Sequence, residues 1–425
     1  MRVLDKKLGF HKPAGSKNGL WITQQDLEVL HHLYICKTLT TQQLCDYYGC
    51  ISDQKVETFS KKLYSKFAKF QVVKTYQMSL GQIGFYVNYY RLSTGGIELL
   101  FQYGFVTEGE KNKFLEQSHK PRTLVTHTLA TQEVINQAVI NGIKEQKTVR
   151  NVSNQIMNVT KGSLFPDGLI EISQTEYVAI ELDNDTEPLK KLEEKLIKYV
   201  AFAEENPDKQ YYLIYSLLDD SFRGRYTQGE KLMRTFNLKK RLVGNKGVFH
   251  DNLHVYVTPL RRTHSLIKRI MLGKENFSSK EMRGFLEQLF LDKQSLYDDF
   301  KGEIIPTLVS IPKLDDLVHY HFNYRDEQGT SYTIAVLYMR EGNMVDFDNL
   351  MLLLSRNEKE RNHGHTSFER IIVVYSSTDE AEGEVIPVEK IVGITSIETL
   401  LDFEQPLHIS TSSSLYRRKV SDRLI

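Results

Sequence analysis

Three acids stand at the ends of two apolar runs: Asp167, Glu181 and Asp183. Asp167 follows Pro166 near the head of "LFPDGLIEIS", and Glu181 and Asp183 close "TEYVAIELD". Alternate side chains of an extended strand share a face, so Glu181 and Asp183 point the same way, and Asp167 meets them across a hairpin. Three carboxylates placed like this offer hard oxygen ligands to a divalent ion, Mg²⁺ or Mn²⁺. Phosphodiester hydrolysis at such an ion also calls for positive charge beside the scissile phosphate. Lys191, Lys195 and Lys198 form one stripe of the segment that follows, and Lys195 is the best placed of them. Glu133 is a candidate fourth acid. The competing reading is structural: strand ends beside loops are commonly acidic, and "DND" caps the helix that begins at Pro188.

The elements that would position these residues can be read from periodicity. "LVTHTLATQEVINQAVINGI" is an amphipathic helix carrying His127 and Glu133. The two acid-bearing runs are strands, the first entered through Pro166. "PLKKLEEKLIKYVAFAEE" is a helix with proline in its first turn, where proline is tolerated, and with Leu189, Leu192, Leu196 and Val200 on its core side. "QYYLIYSLLD" is a buried third strand and "LHVYVTPL" a fourth. Strand, helix, strand implies an α/β sheet with a parallel crossover. From residue 263 the layout returns as hairpin, helix and buried strand: either a degenerate repeat of the first α/β domain or an independent recurrence of a common layout. Because "YTIAVLYM" ends without paired acids, no metal site is expected in that second copy, which reads as a scaffold or partner-binding surface.

Residues 20–110 follow a different plan. Thr23 and Asp26, then Thr40 and Gln43, have the spacing of capping boxes, and Gly49 marks a stop. A third helix starts at Ser52, with Val56, Phe59, Leu63 and Phe67 as its buried stripe and lysines on its other faces. The strand-like runs "FQVVKTYQM" and "GFYVNYYRLS" follow, and "TGGIELLFQYG" gives a short closing helix. Three helices and then a hairpin is the order of a winged helix-turn-helix, whose third helix reads duplex DNA in the major groove. Lys55, Lys61, Lys62 and Lys66 are then candidate phosphate contacts, and Ser52, Gln54 and Thr58 candidate base readers. The alternative is a protein-interaction module with a solvated lysine face. Residues 1–19 read as a basic tail, and residues 106–122 as a polar connector.

Composition narrows the classes. The net charge of the 425 residues is +1, so nucleic-acid binding needs a local basic face. The 3 cysteines, all in the first fifty residues and without a C-x-x-C pair, argue for small core residues in a reducing compartment. No apolar run approaches a membrane span, and "MRVLDKKLGF" has no signal-peptide core, so a cytoplasmic protein without a membrane partner is expected. No phosphate-binding G-x-x-x-x-G-K-[ST] loop occurs, which excludes an ATP-driven motor of that class. His319/His321 and His363/His365 lack a third histidine at a relaxase-like spacing and read as solvated residues.

"PDG" followed by "IELD" resembles nucleases of the restriction-endonuclease-like fold, with one departure: Asp183 stands where those enzymes usually carry lysine, so the lysine must come from the helix as Lys195. Taken with the N-terminal helices, "THTLATQEV", "FPDGLIEI", "AIELDNDTE" and "KLIKYV" resemble the replication-relaxation family of plasmids and mobile elements in Gram-positive bacteria, over about residues 20–220. The resemblance implies a role in plasmid replication, relaxation or mobilisation. By motif it carries over Asp167, Glu181, Asp183 and Lys195 as site residues. The expected plan is therefore a multidomain α+β and α/β chain: basic tail 1–19, winged helix 20–110, restriction-endonuclease-like domain 111–262 and a second α/β domain 263–425. Its partner is double-stranded DNA, with homodimerisation and other replication or mobilisation proteins as further candidates. The functional alternatives are a metal-dependent nickase and a non-catalytic regulator or initiator-accessory protein that only grips DNA.

Overall fold

The computed structural model describes residues 7–12, 18–52, 55–79, 86–117, 125–153, 164–185, 187–222, 228–275, 279–296, 302–306, 314–326, 328–386 and 391–402. The chain divides into two compact units, the first made of residues 1–184, 204–211 and 218–226, the second of 185–203, 212–217 and 227–425. The expected border after residue 110 falls inside the helix Glu108–Gln117, and that after residue 262 inside the helix Leu260–Met271. The architecture is mixed α/β, with several sheets.

The first unit opens with an antiparallel ribbon, β1 (Lys7–His11) with β2 (Leu20–Thr23), where a loose tail was expected. Helix α1 (Gln24–Cys36) and helix α2 (Thr41–Ile51) each start in the foreseen capping box, Thr23 with Asp26 and Thr40 with Gln43. Between them β3 (Leu39–Thr40) joins the hairpin of β4 (Val73–Ser79) and β5 (Tyr86–Leu92) in a sheet of order β3-β5-β4. Helix α2 runs through Gly49 to Ile51, and Ser52 is its C-cap. Helix α3 (Val56–Lys62) therefore begins later than expected, at the uncapped Lys55, and passes into a π-helical turn, Leu63–Phe67. Phe59, Leu63 and Phe67 are buried as expected, whereas Val56 is 37% exposed because the helix begins there. Together with Leu27, Leu30, Leu44, Tyr90 and Ile97, the three buried residues form one hydrophobic core.

Helix α4 (Thr94–Gln102) closes the hairpin, and the stretch expected to be a connector folds as α5 (Glu108–Gln117). Helix α6 (Val125–Lys144) then leads into the antiparallel strands β6 (Arg150–Asn151), β7 (Gly168–Glu171) and β8 (Glu176–Asp183). The Gln210 N–H donates to Thr175 O at 2.7 Å and the Leu218 N–H to Asp183 O at 2.8 Å. Both bonds join residues at the same sequence separation, so the returning chain runs parallel to β8, as a crossover requires.

The second unit contains α7 (Leu189–Glu204) for residues up to 203, the centre of β9 (Gln210–Leu217), α8 (Gln228–Leu242), β10 (Leu253–Pro259) and α9 (Leu260–Met271). It continues through α10 (Ser279–Leu296), β11 (Gly302–Pro306), β12 (Tyr320–Asp326), β13 (Ser331–Tyr338), α11 (Met344–Asn362), β14 (Arg370–Tyr375), α12 (Thr378–Gly383), β15 (Val392–Ser396) and α13 (Ile397–Leu401). Strands β11 to β15 lie in chain order, the first three antiparallel and the last two joining in parallel. Element for element, α10 to α13 repeats the order of α6 to α9: helix, three strands, helix, strand, helix, strand, helix. The layout foreseen as a repeat thus extends over nine elements. At matched positions β13 ends in Leu337 and Tyr338, and β8 in Leu182 and Asp183.

Candidate functional site

The face of α3 is built by what the core leaves out. With Phe59, Leu63 and Phe67 turned inward, Lys55, Thr58, Lys61 and Lys66 remain exposed, joined by Lys69 and by Tyr64 at 67%. Glu57 lies among them, so the face is basic but not purely so. Two of the expected DNA contacts are engaged elsewhere. Lys62 Nζ lies 2.5 Å from Asp26 Oδ2, and the Asp26 side chain is only 2% exposed. That carboxylate also takes the Thr23 N–H at 2.8 Å, so Lys62 neutralises the buried cap of α1. Ser52 is buried at 6%, and its N–H donates to Tyr48 O at 3.0 Å. Gln54 lies outside the described residues.

The acids at the strand ends are positioned by α6. Gly168 lets β7 approach that helix: a Cβ there would meet Ile135 Cδ1 at 2.8 Å and Thr131 Cγ2 at 3.1 Å. The close approach sets Asp167 beside His127, Oδ2 to Nε2 3.3 Å. The same oxygen accepts the Leu182 N–H at 2.9 Å, and His127 Nε2 lies 3.0 Å from Leu182 O. Both neighbours of Nε2 are acceptors, so this nitrogen carries the proton and has no lone pair free for a metal. Asp167 thus ties α6 to the end of β8. Glu181 and Asp183 are buried, each 3% exposed.

Other members of the expected set also have protein partners. The candidate fourth acid Glu133 faces away, with Oε2 accepting from Gln43 Nε2 at 2.8 Å and Oε1 from Gln137 Nε2 at 3.3 Å. Lys195 belongs to the second unit, where its Nζ pairs with Glu187 Oε2 at 3.2 Å. Among the described residues no group of three or more His, Cys, Asp or Glu side chains could hold a metal ion. Asp167, Glu181 and Asp183 are all among those described residues. A divalent ion such as Mg²⁺ or Mn²⁺ needs carboxylate oxygens open to it, and Asp167 Oδ2 is already taken by the Leu182 N–H.

Sequence reasoning passes over two sets of residues. His127 stands on its expected helix, but nothing in its neighbourhood along the chain gives it a role. Its signal is the stripe His127, Thr131, Ile135, one helical face at four-residue spacing, and the last two of these meet Gly168. The second set is a buried charge network in the second unit. Arg262 pairs with Glu341 through Nε at 2.6 Å and Nη2 at 2.9 Å. Arg269 reaches Glu275 at 2.9 Å, Glu341 at 3.1 Å and Glu380 at 3.6 Å. Lys239 pairs with Glu384, each 1% exposed, and Arg340 with Asp346 at 2.8 Å. The acids of this network come from several places: Glu275 after α9, Glu341 in the loop after β13, Asp346 in α11, and Glu380 and Glu384 in and at the end of α12, whereas β13 itself carries none. Burial pushes the Glu380 carboxyl up to about 7 against the pull of Arg269, and it raises Glu341 as well. Each of these carboxylates has a cation against it, so the network reads as a clamp within the unit.

Residues 30–217 match the family model described as Replication-relaxation. The matched stretch, less than half of the chain, is similar to that family. It runs from α1 to the end of β9, and so takes in the lysine face, the hairpin and the contact of His127 with Asp167. The charge network, spread over residues 239–384, lies beyond the matched stretch. No curated protein and no solved structure matches the chain. Among the described residues no helix is long and apolar enough to cross a membrane.

Proposed function

We propose that this chain is a non-catalytic DNA-binding accessory protein that acts in the replication or relaxation of a plasmid or other mobile element. The observation that carries the reading is a contrast between two sets of residues. Lysines 55, 61 and 66 stand exposed on the third helix of a three-helix and hairpin arrangement, while Oδ2 of Asp167 lies against His127 and accepts the Leu182 amide. That arrangement has the element order of a winged helix-turn-helix, with α3 as the major-groove helix and β4–β5 as the wing. Phosphate contacts from Lys55, Lys61 and Lys66 fix register and supply most of the affinity, and Thr58 is the described residue best placed to reach a base edge. The similarity of residues 30–217 to that family supports the replication context. The sheet that carries Asp167 and Glu181 then serves as a frame that grips DNA.

The test is supercoiled plasmid incubated with the protein in Mg²⁺ or Mn²⁺. The reading predicts retarded plasmid that returns fully supercoiled after protein removal. Metal-dependent nicking that disappears in both Asp167→Ala and Glu181→Ala would replace it with the nickase reading.

A further inference from the structure

The β1–β2 ribbon has two unlike faces. On one, Leu20 and Ile22 are buried in the first unit, and Gly9 sits so close to Tyr103 that a Cβ would lie 2.1 Å from its hydroxyl. On the other, Phe10 and Trp21 stand opposite each other in the register and point to solvent, 51% and 52% exposed. Their ring centroids are 5.2 Å apart at 60°, Leu8 lies nearby at 39% exposure, and Lys7 Nζ is 5.4 Å from the centre of the Trp21 ring. Strand alternation accounts for one outward side chain in two, but not for two large aromatics as the outward pair.

The charge around this face selects its occupant. Among the described residues 7–12 and 18–23, Lys7 and Lys12 are basic and none is acidic, in a chain whose net charge is only +1. Aromatic rings beside cations form the stacking platform of proteins that hold unpaired bases, because every base has a π-face and every nucleotide a phosphate. Phosphates supply the counter-charge that these lysines call for beside the rings.

We propose that the β1–β2 ribbon binds single-stranded DNA, with unpaired bases stacked on Phe10 and Trp21 and phosphates met by Lys7 and Lys12. This deepens the DNA-binding reading and rests on it: α3 takes the duplex, and the ribbon takes a strand separated from it. Melted DNA beside a bound duplex site is the substrate the two surfaces share.

The full chain supplies its own probe, since Trp21 is the 1 tryptophan present. A thymidine oligonucleotide should quench its emission on stacking. Anisotropy of the labelled oligonucleotide should show roughly tenfold weaker binding per ring removed in Phe10→Ala and Trp21→Ala, with Trp21→Phe retaining most of the affinity. Duplex affinity should stay unchanged in all three, which also reports that they fold. If duplex binds but the oligonucleotide neither quenches Trp21 nor loses affinity in the alanine variants, the ribbon proposal fails and the DNA-binding reading stands. If wild type binds neither, both fail. Concentration-dependent self-association that disappears in Phe10→Ala would overturn the proposal in favour of an interface between copies.

Discussion

Lys62 and Lys61 are neighbours on one lysine-rich helix, yet removing them should have unrelated consequences. Lys62→Met strips the ammonium from Asp26, leaving a carboxylate with 2% side-chain exposure to which the Thr23 N–H still donates. Breaking a fully buried pair by deleting one partner costs about 3–5 kcal/mol. The Lys62 side chain is 22% exposed, and solvent screens part of the interaction, so ~1–3 kcal/mol is the expected loss. For a unit of this size that corresponds to a fall in Tm of roughly 2–12 °C. Lys61→Ala removes an exposed side chain and should change stability by less than ~0.5 kcal/mol. Thermal melts followed by near-UV circular dichroism separate the two, and the double variant Asp26→Asn with Lys62→Met should recover part of the stability. The reasoning is refuted if Lys62→Met melts with wild type while it alone flattens the salt dependence of DNA binding.

Two other side chains give separate tests. Burial lowers the His32 pKa to about 4, against the hydrogen bond with the Asn136 side chain, which raises it. A depressed histidine favours the folded state fully above its unfolded value near 6.5, and that contribution is lost as pH falls towards 4; over the whole window it amounts to about 3 kcal/mol. Urea melts should therefore show the stability difference between wild type and His32→Gln shifting in the variant's favour on going from pH 7 to pH 5; a pH-independent difference would exclude the assignment. In the second unit, Lys239→Met leaves the Glu384 carboxylate, which accepts the amides of Gly342 and Val385, buried without its ammonium. It should cost about 3–5 kcal/mol in a urea melt, most of it recovered by adding Glu384→Gln, and an unperturbed single variant would mean the pair is not buried in solution.

What the sequence discloses is local. The capping boxes at Thr23 and Thr40 involve residues three apart, so spacing alone reveals them. Strand, helix, strand is visible because β8, α7 and β9 differ sharply in hydrophobic period. The same kind of signal exists for α5, where Thr107 and Glu110 form a reciprocal cap, the Glu110 carboxylate accepting the Thr107 N–H at 2.8 Å. The polarity of that segment masks it and suggests a connector instead. Val56 has the spacing of the buried stripe but stands outside the core, because α3 starts a turn later than its apolar period implies. The site is harder to read for a physical reason. Whether Asp167 faces a metal or His127 depends on how closely β7 packs on α6, and Gly168 decides that by meeting residues over thirty positions away. Lys62 and Asp26 are likewise distant in sequence, and pairs such as Arg262 with Glu341 more so. Residue type names the charged groups in each case, and packing chooses their partners.

The central claim is that exposed lysines of α3 hold duplex DNA by its phosphates. The most direct measurement is the salt dependence of duplex affinity for wild type and for the variant carrying Lys55→Ala, Lys61→Ala and Lys66→Ala. Each lysine–phosphate pairing removed should take ~0.9 off the slope of log affinity against log salt, so the triple variant should bind more weakly at low salt with a slope shallower by about 2.7. An unchanged affinity and slope, in a variant that melts with wild type, would contradict the account.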